Sequence, residues 1–237
     1  MMTLLRATAL CGTLLAALPA AAQQFAGGQV DLTMRSFDDL GIETTSARVS
    51  GEMALSRSFS LQGDLFTGTD DSLGDDDSSF GATLHGLLHV SETSTVGVFT
   101  TYEGNDSSSF GSFGVEAGAS FGEIATEIWL GVGENDTGSD ANYFGLETRR
   151  AFGLVHLFGG VEYYNISGEI ESVQSGLGVE YQSAGGFGLT AKIEDNYFEY
   201  DDQFSFDDTS VSIGASYRFG KRPGTVFGER SLSGIFR

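Results

Sequence analysis

Histidine is the most versatile catalytic and metal-binding side chain, and this chain has three of them, at positions 85, 89 and 156. His85 and His89 share one face of a predicted strand, where four extended residues separate them by about 13 Å. His156 belongs to a distant predicted strand, so no pair of imidazoles is placed to share a metal ion or a proton. Neither G-x-S-x-G nor H-E-x-x-H occurs, and the only thiol is Cys11. We therefore predict no enzymatic activity and no cofactor.

Charged residues at alternate positions form a second chemically active set. Successive side chains of a strand point to opposite faces, so these charges share the face opposite the apolar residues. The basic members are Arg35, Arg48, Arg149, Lys192 and Arg218. The acidic members are Asp31, Glu52, Asp64, Glu116, Glu127, Glu147, Glu162, Glu180 and Glu194. Nine acids against five bases leave a net charge of −4, and an enclosed face of this kind would concentrate cations.

A third set is the carboxylate run Asp75, Asp76 and Asp77. Clustered carboxylates supply the oxygen ligands that Ca²⁺ and Mg²⁺ prefer, although the spacing does not match an EF-hand loop. Two interpretations stay open, a solvated acidic surface and a weak divalent-cation site. The formal net charge of −21 argues against nucleic-acid binding, which needs clustered Lys and Arg.

The elements that must position these side chains are β-strands. Apolar and polar residues alternate with a period of two from Val30 to Phe219, and we count about twelve such segments, most of 8–11 residues. That length suits a tilted strand crossing a bilayer. Short turns alternate with polar stretches that we predict to be long loops: Asp38–Thr44, Thr67–Ser79, Gly104–Ser109, Glu134–Asp140, Asn165–Glu171 and Tyr197–Asp208.

Two features favour a closed barrel with its apolar face toward lipid. The more polar face is rich in glycine, which is natural in a cramped lumen and unusual on a solvated surface. Aromatic residues near the predicted strand ends would form girdles at the headgroup layers. These residues are Phe37, Phe59, Phe66, Phe80, Phe110, Phe121, Tyr143, Phe144, Tyr163, Tyr181, Phe187, Tyr197, Tyr217 and Phe219. A secreted soluble β-sandwich with an aromatic core remains the alternative.

The first 22 residues have the pattern of a secretory signal peptide. Arg6 lies in a short n-region, the run from Ala7 to Leu18 is apolar, and Ala20 to Ala22 form a small-residue cleavage site. We therefore divide the chain into a signal peptide (1–22), a transmembrane β-barrel (23–219) and a basic periplasmic tail (220–237). Pro223, Gly224 and Gly234 lead us to expect a disordered tail.

The segment from Val211 to Phe219, VSIGASYRF, resembles the closing strand of Gram-negative outer-membrane β-barrel proteins of the small porin-like type. The resemblance implies an all-β, closed antiparallel up-and-down barrel with extracellular long loops and both termini in the periplasm. Tyr217 and Phe219 would be the signal read by the barrel-assembly machinery. Outer-membrane lipid and lipopolysaccharide would be its surroundings, and the protein would be a monomer or a homo-oligomer. The chain departs from the family by continuing 18 residues beyond Phe219.

By this resemblance we expect a channel for passive diffusion of small solutes, and the acidic excess of the inward charges predicts a preference for cationic or neutral ones. The alternative is a structural or adhesive barrel in which charges pair across strands and fill the lumen. In either case the candidate lumen residues are Arg35, Arg48, Glu52, Asp64, Glu116, Glu147, Arg149, Glu162, Glu180, Lys192 and Arg218.

Overall fold

The computed structural model describes residues 24–72, 75–105, 108–167, 170–200, 204–220, 227, 228 and 230. The predicted signal peptide lies outside these ranges. Twelve strands make up the fold, β1 Gln24–Phe37, β2 Glu43–Ala54, β3 Phe59–Ser72, β4 Asp75–His89, β5 Ser94–Asn105, β6 Ser109–Phe121, β7 Ile124–Asn135, β8 Asp140–Phe152, β9 Val155–Ile166, β10 Ile170–Gln182, β11 Phe187–Tyr200 and β12 Phe204–Gly220.

Each strand pairs antiparallel with its neighbours along the chain, and β12 returns to pair with β1. This closing seam runs from Gly27 opposite Gly220 to Phe37 opposite Ser210. A closed sheet leaves no edge with unpaired backbone groups, which is the condition for strands to cross hydrocarbon. The predicted all-β, closed up-and-down barrel of twelve strands is confirmed. We call the end that holds Gln24 and Gly220 the terminal end, and the opposite one the distal end.

The two faces of the barrel follow the predicted alternation. Outward positions carry exposed apolar side chains, such as Leu65 (65%), Phe113 (65%) and Leu177 (71%). Inward positions are mostly polar or glycine, and Gln62 and Asn196 among them are fully buried. The apolar face therefore forms the outer surface, as the sequence predicted for a barrel in lipid. In the described ranges, no helix is long and apolar enough to cross a membrane.

Strands replace most of two predicted long loops at the distal end, Thr67–Ser79 and Tyr197–Asp208. The pairing of β3 with β4 continues through Thr67 opposite Phe80 and Thr69 opposite Ser78, across a stretch predicted as one loop. Likewise β11 extends to Tyr200 and β12 begins at Phe204, inside the predicted loop Tyr197–Asp208. The loop prediction was wrong here because backbone pairing needs no apolar face, and only lipid contact imposes the alternation.

Aromatic residues from the predicted girdle divide between the two faces. Phe80, Phe121 and Tyr217 point outward and are more than half exposed. The girdle prediction was wrong for Phe37, Phe66, Phe110 and Tyr143, which point inward and are buried. Most of these belong to an apolar cluster inside the barrel, whose members are Phe37, Phe99, Phe110, Trp129, Ala141, Tyr143, Tyr164, Ile170 and Phe198. Because several members lie at the distal strand ends, this cluster narrows the lumen toward that end.

Candidate functional site: the lumen

A cavity of about 380 Å³ occupies one side of the lumen. It lies against β1, β2 and the strands from β7 to β12. The charged residues that line it are Asp31, Arg35, Arg48, Glu147, Arg149, Glu162, Glu180, Lys192, Glu194, Arg218 and Arg230. Eight of the eleven candidate lumen residues are among them. The other three, Glu52, Asp64 and Glu116, are buried elsewhere in the barrel interior.

Ion pairs hold the basic residues of the cavity in place. Glu180 accepts from both Arg149 and Arg218, the latter at 2.7 Å. Glu194 is shared in the same way between Arg35, at 2.9 Å, and Lys192. One carboxylate between two cations leaves each triad with a net charge of +1. Buried pairs of this kind orient their side chains and lower the effective charge that a passing solute meets.

Beside the cavity, on β3, β6 and β7, lies a group of carboxylates that we call the acidic wall: Asp64, Glu116 and Glu127. His85 lies between two of these carboxylates, with Nε2 2.7 Å from Asp64 and Nδ1 2.7 Å from Glu116. His85, Asp64 and Glu116 have fully buried side chains. The sequence placed His85 and His89 on one strand face, but it gave no sign that His85 links two carboxylates from β3 and β6.

Residues after β12 return into the lumen and contact the acidic wall. The Arg230 guanidinium donates from Nε to Glu116 at 3.0 Å and from Nη2 to Glu127 at 3.1 Å. The same group lies 4.2 Å from the centre of the Trp129 ring, a favourable cation–π distance. Both Arg230 and Phe227 are buried. At these positions the chain is held inside the barrel, and the expectation of a disordered tail was wrong for them.

Backbone contacts fix the same segment. The Gln62 side-chain amide donates to the Phe227 carbonyl at 2.8 Å, and its oxygen accepts from the Phe227 amide at 3.2 Å. Thr101 donates to the Arg230 carbonyl at 2.9 Å. The Phe227 ring lies over Gly118, where a Cβ would come within 2.9 Å of it. No alternation marks these tail residues in the sequence, and a basic tail after an acidic barrel face was the one available signal.

Inward glycines lie beneath aromatic rings of the neighbouring strand. Trp129 is directly opposite Gly145, and Tyr143 is directly opposite Gly131. A Cβ at either glycine would collide with the opposing ring. Phe99 over Gly114 and Phe158 over Gly178 repeat the arrangement. The glycine-rich face therefore serves close contact between rings and backbone, which is a more specific role than general crowding.

Other lumen residues lay outside the sequence prediction. Glu103 is buried and inward-facing on β5, beyond the acidic set predicted from alternation. Asp208, predicted as a loop residue, is buried on β12 and accepts the backbone N–H groups of Asp39 and Leu40, both at 3.0 Å. It therefore fastens the β1–β2 connection to the barrel. Alternation could not reveal this carboxylate because it follows a stretch without an apolar face.

The predicted assembly signal lies on the outer surface at the seam. Tyr217 is half exposed, and the Phe219 ring stacks on Tyr217 at 6.2 Å and on Phe25 of β1 at 5.8 Å between centres. Recognition of these residues by an assembly machinery stays a prediction. Asp75, Asp76 and Asp77 belong to β4, but their side chains lie outside the described parts of the structure. The divalent-cation hypothesis for them likewise stays a prediction.

Solved outer-membrane channels share this architecture. The NanC porin superposes with a TM-score of 0.63 at 10% identity, over 80% of this chain and 100% of its own. An outer membrane channel from Pseudomonas putida F1 gives 0.59 at 8% identity, over 85% and 99%. The KdgM porin, solved in complex with disordered oligogalacturonate, gives 0.57 at 8% identity, over 81% and 99%. The chain has the fold of small outer-membrane porins.

No protein-family profile matches the chain, and no curated protein sequence matches it either. The likeness to the porins is therefore a likeness of fold at 8–10% sequence identity. For this porin-like barrel the charged lining is its own, and its chemistry has to be derived from the side chains described above.

Proposed function

We propose that this chain is a porin-like channel through which small hydrophilic solutes diffuse passively. The observation that carries the proposal is the cavity of about 380 Å³, which runs beside ion-paired Arg, Lys and Glu side chains instead of packed apolar ones. Ion pairs with solvent access line pathways for polar molecules, whereas apolar packing closes them. The channel fold of the structural neighbours supports the same conclusion.

The preferred solutes under this proposal are neutral or cationic, and the preference is weak. Among the described inward residues, acids outnumber bases, which favours cations over anions in the lumen as a whole. The cavity itself is nearly balanced, with six basic and five acidic residues in its lining. Glu116 and Glu127 of the acidic wall are paired with Arg230, which weakens their effect on the potential inside the cavity.

We also propose the outer membrane as the location, with the apolar outer surface in contact with lipid and lipopolysaccharide. Gln24, the first residue of β1, and Gly220, the last residue of β12, lie at the same end of the barrel. In this proposal the terminal end faces the periplasm and the distal end faces the exterior. The oligomeric state consistent with it is a monomer or a homo-oligomer, because closure of the barrel needs no second chain.

Planar-bilayer recording of the refolded protein tests the channel. We expect discrete conductance steps and, in a KCl gradient, a reversal potential displaced weakly toward that of K⁺. Folding is checked separately by the shift in gel mobility between unheated and heated samples. A folded protein that gives no steps would refute the channel, whereas steps with Cl⁻ preference would refute only the solute preference.

A second candidate function is a closed structural barrel. The apolar cluster around Phe37, Tyr143 and Phe198 favours it, since these rings fill the lumen toward the distal end. The paired charges also match the arrangement expected for a filled barrel. Bilayer recording separates the two candidates directly, because a closed barrel is folded and silent.

A further inference from the structure

We propose that the tail segment containing Phe227, Gly228 and Arg230 is a lumenal plug that sets both the width and the ion preference of the pathway. The inference rests on the proposed channel function and adds the element that restricts it. Three observations support it: the contacts that hold the segment, its position between the acidic wall and the cavity, and its charge.

The first observation is that the segment is held by specific contacts. Gln62 pairs with both backbone groups of Phe227, and Thr101 binds the Arg230 carbonyl, so strands β3 and β5 each fix the segment. The Arg230 guanidinium is 2% exposed and has partners on β6 and β7. Hydrogen bonds to charged groups and buried ion pairs in low dielectric hold such a segment in one place.

The second observation is the position of the segment between the acidic wall and the cavity. Arg230 contacts Glu116 and Glu127 of the acidic wall and also lines the cavity. A Cβ at Gly228 would lie 3.5 Å from Arg230 Nη1 and 3.9 Å from Arg48 Nη1, so the segment also approaches the basic side of the lumen. Arg230 therefore forms part of one wall of the cavity, and withdrawal of the segment would join the cavity to the space that its described residues occupy.

The third observation is electrostatic. Arg230 is the guanidinium that pairs with both Glu116 and Glu127, and His85 links Glu116 to Asp64. With the segment withdrawn, Glu116 and Glu127 would face the pathway without this counter-charge. Carboxylates that line a pathway and lack a cationic partner attract cations. The tail thus keeps the channel narrow and only weakly selective.

The decisive variant is Arg230→Glu in the full chain, because it places a third carboxylate against Glu116 and Glu127. We expect it to release the segment, to raise single-channel conductance by at least about twofold, and to shift the reversal potential further toward that of K⁺. Arg57→Glu makes the same charge change on the exposed β2–β3 turn and should leave both quantities unchanged. Adding Glu127→Arg to Arg230→Glu restores one ion pair and should bring conductance back toward the original value.

A thiol at position 228 reports the position of the tail without reference to conduction. Gly228→Cys fits, because a Cβ there meets only ordinary contacts, and Cys11→Ala removes the chain's own cysteine. We expect a membrane-impermeant maleimide to label this thiol slowly, and at least about tenfold faster when Arg230→Glu is added. Heat-dependent gel mobility confirms that each variant is folded.

Two results would overturn the inference. Equal labelling rates with and without Arg230→Glu would mean that these ion pairs do not hold the tail. Faster labelling with unchanged conductance and selectivity would mean that the tail leaves without widening the pathway. Silence of every folded variant is a different result, because it refutes the proposed channel and the restricting role together, while the labelling rates still report where the tail lies.

Discussion

Glycine at an inward position leaves room for a ring from the neighbouring strand, and the barrel uses this pairing repeatedly. Trp129 over Gly145 is one instance, and the same indole also meets the Arg230 guanidinium. The sequence showed glycine and aromatic residues on one face, but it could not match each glycine to its ring. That match depends on strand register. A register shift of two residues keeps every side chain on its face, so the alternation alone does not determine the register.

Replacing Gly145 with alanine should destabilise the barrel by about 1–3 kcal/mol, because the added methyl would overlap the Trp129 ring and the backbone there is fixed by pairing. Gly63→Ala is the matched control, since that glycine faces outward on β3 and has no atom within 4 Å of the added Cβ. The measurement is urea unfolding in lipid vesicles followed by tryptophan fluorescence. Equal midpoints for the two variants would contradict the packing explanation.

Strands were the elements that the sequence described best, and their ends were described least well. Twelve alternating segments predicted twelve strands and their faces, because lipid on one side and water on the other impose a period of two. Beyond the lipid this constraint disappears, and Thr69, Ser78 and Phe206 continue paired strands without a sequence signal. The tail residues Phe227 and Arg230 were missed for a related reason, since a segment held by side chains of other strands needs no periodicity.

Phe219 tests the role of the final strand. We expect Phe219→Ala to reduce the assembled fraction in cells several-fold, because it removes the stack on Phe25 at the seam and the predicted recognition signal together. Phe187→Ala is the control. Phe187 lies on β11, also faces outward and is opposite Tyr217, which belongs to the same strand as Phe219. Assembly is measured by heat-dependent gel mobility of outer-membrane fractions. Equal losses for both variants would mean that Phe219 contributes only surface area.

The stability of the barrel in lipid depends on its outer apolar surface, which a charged substitution tests. Leu65 lies in the middle of β3, points outward and is 65% exposed. Leu65→Arg should lower the free energy of unfolding in lipid by about 2–4 kcal/mol, since it places a charge near the bilayer midplane. Val90→Arg, at the β4–β5 turn, should cost no more than about 1 kcal/mol because it lies near the interface.

Equilibrium unfolding in phosphatidylcholine vesicles measures both of these arginine variants. Similar costs at the two depths would indicate that the outer surface does not contact hydrocarbon. A folded protein that remained monomeric in buffer without detergent would contradict the arrangement more directly, because its exposed Leu, Val and Phe side chains would then have to be solvated.

The seam between β1 and β12 makes closure of the barrel depend on the last strand. Eleven of the twelve described ladders join strands that are consecutive in the chain. The seam joins the first strand, β1, to the last, β12. A chain that ended before Phe204 would lack β12. Strands β1 and β11 would then each keep an unpaired edge, and the barrel would not close. The strand that closes the barrel also precedes Phe227 and Arg230, so closure and filling of the lumen depend on one part of the chain.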